Sequence, residues 1–498
     1  MTGTTSIPNY PPENRVPGFY FSLDNSQANT AMLQRRVLLI GQMTDKGIAT
    51  PGRAEQISGT TSANSRFGIG SQLALMINAY RKIDGFGELW ALPLADGSNI
   101  TKATGTITLA GTPTESGNLY LYIDDVLIQQ VIVEGDTLNN ITKSLVNKIN
   151  SATTIPVQAT AGQTAGTITI TALNAGKCGN DISLGINLLG SYSGQITPNG
   201  LKVTLQGLAG GNGSPIEGFS AALDNLGSRK FDIFVHPYAE PSTLSAMTSF
   251  LDDATGRWKM TEQLFGHSIT AFKGTYGEAT ALGSSQNDQH STIMATSNSP
   301  THPMIWAAQI GAQVLLSMVD NPAMPITGLT LNVMPPTDNG IFAFDERNSL
   351  LYDGISTFKV QNNDQVTIER LITTYRHNSN GMEDDSYLNI ETMLTAAVAI
   401  QDMRDYLATQ FYRCILVNDI SKLNAGQRVT TAQLIAKTCV SRYRTQEQNL
   451  WVQDSEGFSK AIIAKNEGNG RVSLLMPYRF SDQLFFITAN CQFVKLTN

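Results

Sequence analysis

The sequence predicts an α/β protein that carries an inserted, mostly β domain and an α+β C-terminal domain with terminal strand arms. Three observations lead to this prediction. Apolar strands alternate with amphipathic helices over residues 36–99 and 207–380, which is typical of a largely parallel sheet with helices on both faces. Residues 100–206 are rich in glycine, threonine and alternating strands. Residues 381–498 begin with a long helical pattern and end in strands.

The length and composition indicate several domains and a surface with few charges. At 498 residues the chain should form about three domains, since domains usually have about 100 to 200 residues. Charged residues make up only 15% of the chain, against about 25% in a typical domain. Such a composition suits a subunit packed by copies of itself, because each buried ion needs a partner. The net charge of −7 argues against a nucleic-acid coat.

The N-terminal arm, residues 1–35, begins with a polar, proline-rich leader over residues 1–17 that should be extended. The next stretch alternates with period two and places Phe19, Phe21 and Leu23 on one face of a strand. Polar, turn-like residues follow it, so this strand has no local partner. The N-terminus has no apolar signal core and no stretch reaches the roughly 18 apolar residues of a membrane span, so we expect maturation in a cytoplasm.

The core should open with a βαβ unit made of strands at 37–41 and 89–93 and a helix over about 70–83. Its first strand is a continuous apolar run of the kind that is buried on both faces. After the insertion, the core resumes with strands and helices in alternation, at 231–235, 242–255, 268–272, 276–286, 292–295 and 303–318. The proline-rich stretch 321–336 is predicted to be a loop or an edge connection.

The inserted domain should contain a hairpin of residues 119–124 and 126–133. One helix interrupts its strands, with Asp136 or Thr137 as the N-cap. The apolar face of that helix comprises Leu138, Ile141, Leu145 and Ile149. We expect residues 207–213, which are rich in glycine, to form a flexible connection back to the core.

The C-terminal domain should begin with a helix over about 386–413, preceded by the carboxylates of residues 383–385, which would cap it and complement its dipole. A second helix is predicted near 430–446. A hairpin of residues 472–479 and 484–494 should close the chain. One face of its last strand comprises Phe485, Ile487, Ala489, Cys491 and Phe493.

The sequence offers little catalytic chemistry. Ser285, Asp288 and His290 invite a serine hydrolase interpretation, but triad residues normally come from separated elements and no G-x-S-x-G elbow is present, which favours a loop. Lys177 lies in a glycine-containing fragment that lacks the other P-loop residues. Gly85–Gly87 precedes a strand, so it predicts a turn and not a dinucleotide site.

The sequence also gives no metal or cofactor motif. The five histidines lack metal-ligand spacing, and the four cysteines lie far apart, as expected of reduced, mostly buried thiols. What remains distinctive is the two apolar terminal strands. Unpaired apolar strands are aggregation hazards, so either each pairs within its own chain or both add to the sheet of a neighbouring subunit. We favour exchange between subunits.

Several runs resemble the tail sheath proteins of Mu-like phages. They are Arg370 to Arg376, followed by the helix beginning at Tyr387; Arg36 to Gly41; and the closing Pro477 to Phe480. The similarity extends over nearly the whole chain. The order of the blocks carries it: arm, α/β core, β insertion, helical C-terminal domain and terminal hairpin.

The resemblance implies six-membered rings stacked helically around a tail tube, in a virion tail assembled in the host cytoplasm. It implies strand exchange with copies of the chain, contacts with the tail tube, baseplate and tail terminator proteins, and no direct nucleic acid contact or membrane insertion. In this family the core is similar in topology to subtilisin-type sheets without a catalytic triad. The inserted domain faces outward and the helical domain touches the tube. Contraction would drive the tube through the host envelope without nucleotide or cofactor.

Two other functions stay open at this point. A DNA-free contractile injection particle would use the same kind of sheath. A receptor-binding or glycan-binding virion protein would use exposed aromatic residues of the insertion, where the sequence offers Tyr120, Tyr122 and Tyr192.

Overall fold

The computed structural model describes residues 35–418 and 428–493. The predicted N-terminal strand with Phe19, Phe21 and Leu23 lies outside the described residues. The first α/β segment comprises β1 (Val37–Gln42), β2 (Glu55–Gln56), α1 (Thr60–Phe67), α2 (Gln72–Arg81) and β3 (Leu89–Leu94). The mostly β segment comprises β4 (Thr104–Gly111), β5 (Gly117–Ile123), β6 (Val126–Ile132), α3 (Leu138–Ser151), β7 (Val157–Ala161), β8 (Thr167–Ala172), β9 (Leu184–Ile186) and β10 (Leu201–Ala209).

The remaining elements form two groups. The second α/β segment comprises α4 (Ile216–Asp224), β11 (Ile233–Val235), α5 (Pro241–Leu251), β12 (His267–Phe272), α6 (Tyr276–Ser284), β13 (Ser291–Ala295), α7 (Pro303–Asp320), β14 (Thr330–Leu331), α8 (Phe344–Tyr352), β15 (Thr357–Val360) and β16 (Val366–Arg370). The C-terminal group comprises α9 (Ile390–Phe411), β17 (Ile415–Leu416), β18 (Val429–Thr430), α10 (Ala432–Gln448), α11 (Ser455–Ala461), β19 (Ile463–Gly468) and β20 (Arg471–Leu475). Short 3₁₀ turns occupy Lys177–Asp181, Ser191–Ser193 and Asp338–Gly340.

A six-stranded sheet forms the core, in the order β13-β12-β11-β1-β3-β2. All its neighbouring strands are parallel except β2, which runs antiparallel to β3 at the edge. Every residue of β1 is buried. Val37 and Leu39 pack into the cluster that contains α2 and α7, while Leu38 and Ile40 pack into the opposite cluster, which contains α4 and α5. This confirms the predicted α/β core and the strand buried on both faces.

Helix α7 lies directly against the sheet. His302 accepts a hydrogen bond from the Met304 amide at 3.1 Å, and Pro303 occupies the first turn, where its missing N–H costs nothing. A Cβ atom at Gly311 would lie 2.4 Å from Val235 Cγ2. Glycine at this position therefore sets the close approach of α7 to β11.

The insertion has its own hydrophobic cluster, formed by buried residues between Ala103 and Leu208. Two sheets, β10-β4-β8-β7 and β6-β5-β9, enclose α3. The predicted hairpin is confirmed as β5 and β6, and Thr137 caps α3 by accepting from the Asn140 amide at 3.3 Å.

The expectation of a flexible glycine-rich connection was wrong in part. Strand β10 continues through Gly207 to Ala209, which pairs with Thr104 beyond a bulge, because the backbone ladder with β4 outweighs the weak strand propensity of glycine. Thr101 and Asn212 then bridge the two chain segments that enter and leave the insertion.

Helix α9 begins four residues later than expected, at Ile390. The backbone just before it is engaged elsewhere, since the Thr373 amide donates to the Leu388 carbonyl at 2.9 Å. The predicted cap at residues 383–385 was therefore wrong. Asp384 instead accepts from the Ser386 amide at 2.9 Å and from the Tyr375 hydroxyl at 2.7 Å, which holds a turn ahead of the helix.

The predicted closing hairpin was also wrong. Strand β20 pairs antiparallel with β19, which precedes it, and not with the described residues 484–493 of the predicted hairpin. The turn between these strands has positive φ angles at Gly468, Asn469 and Gly470, as a tight hairpin turn requires. The second predicted helix, near 430–446, is confirmed as α10, and Thr431 caps it.

Candidate assembly surface

The three residues considered for a hydrolase are bonded to different partners. The Ser285 hydroxyl donates to the Leu282 carbonyl of its own helix at 2.7 Å. His290 Nε2 lies 2.9 Å from Asp253 Oδ1, beneath the ring of Trp258. Asp288 accepts from the Ser291 hydroxyl at 2.7 Å. These contacts order the loop between α6 and β13, in agreement with the loop interpretation.

Three other histidines lie buried in the core as neutral rings. Burial lowers the pKa of His236 to about 4, of His267 to about 3 and of His302 to about 4. Each ring has a short polar contact, the last one between His302 Nε2 and the Cys178 carbonyl at 2.8 Å. Among the described residues, no group of three or more His, Cys, Asp or Glu side chains is placed to hold a metal ion. These rings stabilise the core.

The tyrosines of the insertion do not share one exposed surface. Tyr122 is buried and its hydroxyl accepts from Gln195 Nε2 at 2.6 Å, whereas Tyr192 is fully exposed. The surface that a receptor-binding or glycan-binding interpretation requires is therefore not formed by these residues.

The Gly85–Gly87 turn is confirmed and is held by one carboxylate. Asp84 Oδ1 accepts from the amides of Phe86 and Gly87, at 3.2 and 2.8 Å. Strand β3 follows directly, so the turn serves to reverse the chain into the sheet.

The C-terminal segment, residues 484–493, is the main candidate assembly surface of the described chain. Its base is anchored: the Ser481 amide donates to the Trp451 carbonyl at 3.1 Å, and Gln483 Nε2 donates to the Ala323 carbonyl at 3.3 Å. Beyond that base, residues 484–493 pair with none of the described strands. The predicted strand is thus without a partner inside the described chain.

The side chains of the C-terminal segment are mostly exposed. Phe485 is half-buried, but Ile487 is 82% exposed and Phe493 is 90% exposed, and Ala489 and Cys491 are exposed as well. On the other face, Phe486 is 74% exposed. Contiguous exposed apolar side chains of this kind mark interaction sites in soluble proteins.

A second open surface is the hairpin of β19 and β20, which the sequence patterns did not predict. It forms a separate two-stranded sheet that packs on α10. Its partly buried residue Leu474 joins the C-terminal hydrophobic cluster around Tyr443 and Phe458, while Ile463 and Leu475 are exposed at its open end. Two-stranded sheets are marginal alone, so this one is suited to accept further strands.

Tyr443 holds the base of this region together. Its ring stacks on Phe458 with centroids 3.9 Å apart. Its hydroxyl donates to the Gln453 carbonyl at 2.8 Å and accepts from the Arg479 amide at 3.1 Å. The chain leading to the C-terminal segment is therefore fixed to α10.

None of the described helices is both long enough and apolar enough to span a bilayer.

Comparison with known proteins gives consistent matches. The family model for the phage tail sheath protein central domain matches residues 215–374. The Mu-like prophage FluMu tail sheath protein of Haemophilus influenzae is 31% identical over 495 residues, covering 98% of this chain and 99% of that protein. A sheath tail protein from Desulfitobacterium hafniense has a TM-score of 0.49 at 12% identity, covering 94% of this chain and 97% of its own. A chain in the six-fold symmetrised anti-feeding prophage baseplate has a TM-score of 0.49 at 10% identity, covering 97% of this chain and all of its own.

Proposed function

This chain belongs to the tail sheath proteins of Mu-like phages, and on that premise we propose that it polymerises as stacked six-membered rings around a tail tube, with terminal strands exchanged between neighbouring subunits. The family is a structural one and not an enzyme family. Contraction of the polymer would drive the tube through the host envelope. The observation that carries the proposal is the exposed apolar C-terminal segment, which has no strand partner within the described chain.

Strand exchange would supply favourable free energy for joining subunits. A strand with about five main-chain hydrogen bonds contributes roughly 0.5 to 1.5 kcal/mol net for each bond. Burying side chains such as Phe486, Ile487 and Phe493 adds about 1.5 to 3 kcal/mol each. Together these terms favour a link that persists while subunits move.

The hairpin of β19 and β20 is the proposed acceptor. No other described strand pairs with either of its outer edges, and its exposed ends carry Ile463 and Leu475, apolar partners for incoming side chains. One edge would receive the C-terminal segment of one neighbour. The other would receive the N-terminal strand, with Phe19, Phe21 and Leu23, of a second neighbour. A two-stranded sheet would thereby become a four-stranded one.

Contraction is proposed to move rigid subunits from a kinetically trapped lattice into one with better packing. The contacts between the insertion and the core support rigidity. Gln42 Nε2 donates to the Ala175 carbonyl at 2.8 Å, Asn174 Nδ2 donates to the Met43 carbonyl at 2.9 Å, and Asp96 accepts from the Ala175 amide at 3.0 Å. These bonds connect the C-terminal ends of β1 and β3, in the core, to Asn174 and Ala175 of the insertion.

The proposed subunit has four parts, each with a place in the sheath. Residues 1–35 form an arm, residues 36–99 and 207–380 the α/β core, residues 100–206 the outward-facing insertion, and residues 381–498 the inner domain that touches the tube. The separate hydrophobic clusters of the insertion and the C-terminal group support this division. Tail tube, baseplate and tail terminator proteins are the proposed partners, with no nucleic acid contact and no membrane insertion, in a virion assembled in the host cytoplasm.

A relation of the core to subtilisin-type sheets is proposed at the level of parallel α/β layering. Five parallel strands with helical clusters on both faces support it. Numbered by their order in the core, these strands follow the doubly wound order 2-1-3-4-5. The proposed relation therefore concerns the arrangement of layers only.

Negative-stain electron microscopy of the purified full-length protein at several concentrations tests the proposed assembly. We expect long hollow tubes or stacked rings with six-fold symmetry. If only monomers form, purified tail tubes are added as a template. Dispersed monomers in the presence of tubes as well would contradict the proposal.

A further inference from the structure

Arg370 lies at the base of the C-terminal segment. It is the last residue of β16 and the first residue of the run Arg370 to Arg376. Its guanidinium carbon is 4.8 Å from the ring centroid of Phe485 and 5.7 Å from that of Phe486. Both distances are within the roughly 6 Å over which a cation is attracted to an aromatic ring. One cation therefore contacts two consecutive rings of the segment.

The guanidinium group is itself held from the side of α9. Arg370 Nη2 donates to Asn389 Oδ1 at 2.8 Å. Glu391, in the first turn of α9, attracts the same cation, and its Oε1 accepts from the Ile326 amide at 2.7 Å. Burial lowers the pKa of Arg370 and Glu391 raises it. Arg370 is thus fixed by the core and α9, and the two rings of the segment pack onto a fixed group.

The two arginines at the ends of the run have different partners. Arg376 Nη2 donates to the Ser284 and Gln286 carbonyls, at 3.0 and 3.3 Å, and so closes the loop after α6. Arg370 alone of the two faces the C-terminal segment. The packing of the core explains Arg376 but not the contact of Arg370 with Phe485 and Phe486.

We propose that Arg370 is a positioning residue for strand exchange: it clamps Phe485 and Phe486 and so sets the direction in which residues 487–493 leave the subunit. This inference rests on the proposed exchange of terminal strands. A segment with a fixed base samples fewer orientations, which raises its effective concentration at a neighbouring acceptor sheet. The clamp acts before assembly, in the free subunit.

A spin label on Cys491 reports the clamp directly, because this thiol is exposed and lies beyond the two rings. Cys178→Ser and Cys414→Ser remove the two half-buried thiols from the background. In dilute, unassembled protein, we expect Arg370→Ala to increase the mobile fraction of the label about two- to fivefold, the range for an exposed cation–π contact. Arg370→Lys keeps the charge and should give a smaller increase.

Two further variants separate the clamp from general destabilisation. Phe485→Leu combined with Phe486→Leu leaves Arg370 and its partners in place and should release the label to a similar extent. Arg347→Ala is the matched control, since Arg347 is likewise near a glutamate and a ring, with Glu369 at 2.9 Å and the Phe344 ring centroid at 6.0 Å, and these partners lie outside residues 484–493. The control should leave label mobility unchanged.

Assembly is measured separately, as the protein concentration at which tubes form. We expect this concentration to rise about two- to fivefold in Arg370→Ala and in the double leucine variant. Unchanged label mobility in the double leucine variant would overturn the clamp, even if Arg370→Ala does not fold. A mobile label with unchanged assembly would overturn the role of the clamp in assembly, whereas strand exchange itself is tested separately, by deleting the segment. A mobile label with weakened assembly supports both.

Discussion

Strand β1 and the C-terminal segment are both apolar stretches of the sequence, yet they lie in opposite environments. All six residues of β1 are buried, between β3 and β11 within the sheet and between two helical layers across it. In the C-terminal segment, Ile487 and Phe493 are more than four-fifths exposed, at 82% and 90%. The comparison shows that an apolar pattern indicates a strand but does not tell which chain will cover it.

Burial of β1 and burial of the C-terminal segment contribute free energy to two different processes, folding and assembly. Burial of β1 contributes to folding of the single subunit, since its partners are in the same chain. Residues 487–493 are exposed in the free subunit, so their burial contributes only when another chain covers them. Changes in the core should therefore act on folding, and changes in the segment should act on assembly.

Deleting residues 484–498 should produce the largest effect on assembly and almost none on folding. We expect no tubes at any concentration tested, because the exchanged strand is absent. The free energy of unfolding should change by less than about 1 kcal/mol, the range of the lost Arg370 contact with Phe485 and Phe486, since the rest of the described part of the deleted segment is exposed. Sedimentation velocity and urea unfolding measure the two quantities.

The control for this deletion replaces residues 487–493 with a glycine and serine sequence of equal length. It keeps the chain length and the two rings at the base but removes the apolar side chains and most strand propensity. Assembly at wild-type levels in both variants would show that this segment does not join subunits.

Trp306→Ala should produce the largest effect on folding. Trp306 is fully buried, its ring centroid lies 4.9 Å from that of Phe358, and its Nε1 donates to Ser299 Oγ at 3.2 Å. Loss of such a side chain typically costs about 3 to 5 kcal/mol of unfolding free energy. Urea unfolding measures it.

The matched aromatic truncation is Phe493→Ala. Because that ring is exposed in the free subunit, unfolding should change by less than about 0.5 kcal/mol, while assembly weakens. Equal losses of folding stability in Trp306→Ala and Phe493→Ala would break the contrast between the two regions.

Elements with strong local signals could be predicted from the sequence. The apolar run of β1, the alternation of the β5 and β6 hairpin and the Thr137 cap of α3 depend on neighbouring residues, and the structure confirms them. The start of α9 could not be predicted, because a hydrogen bond from the Thr373 amide to the Leu388 carbonyl competes with helix formation. Hydrophobic periodicity in the sequence does not predict hydrogen bonds between distant backbone segments.

The assembly surface shows the same limit. Alternation identified Phe485, Ile487, Ala489, Cys491 and Phe493, but pairing them with β20 was wrong, because the chain reverses at the tight turn before β20 and pairs that strand with β19 instead. Strand β19 lacks a sustained apolar alternation, since its residues after Ala464 are polar or glycine, and the Asn469-Gly470 turn is its main sequence signal. The contact of Arg370 with Phe485 joins distant parts of the chain, so the sequence gives no sign of it.

Acid should act on the core and leave the C-terminal segment unaffected. Residues 484–493 contain no Asp, Glu, His, Lys or Arg, whereas His267 is buried in the sheet with its pKa lowered to about 3. The folded protein resists protonation of this ring, and the unfolded chain takes up a proton below about pH 6.5. Its contribution is therefore complete above pH 6.5 and is lost as the pH falls, at about 1.4 kcal/mol per pH unit.

His267→Gln isolates this contribution by difference. The comparison is needed because burial raises the pKa of Asp124 to about 8 and of Asp181 to about 7, and both carboxyl groups therefore change stability with the opposite sign. We expect the stability advantage of the wild type over His267→Gln to shrink between pH 6 and pH 4. Thr292→Val, which removes the 2.8 Å partner of His267 but no titrating group, should lower stability without flattening that slope. A difference that is constant with pH would mean that the ring is protonated in the folded core.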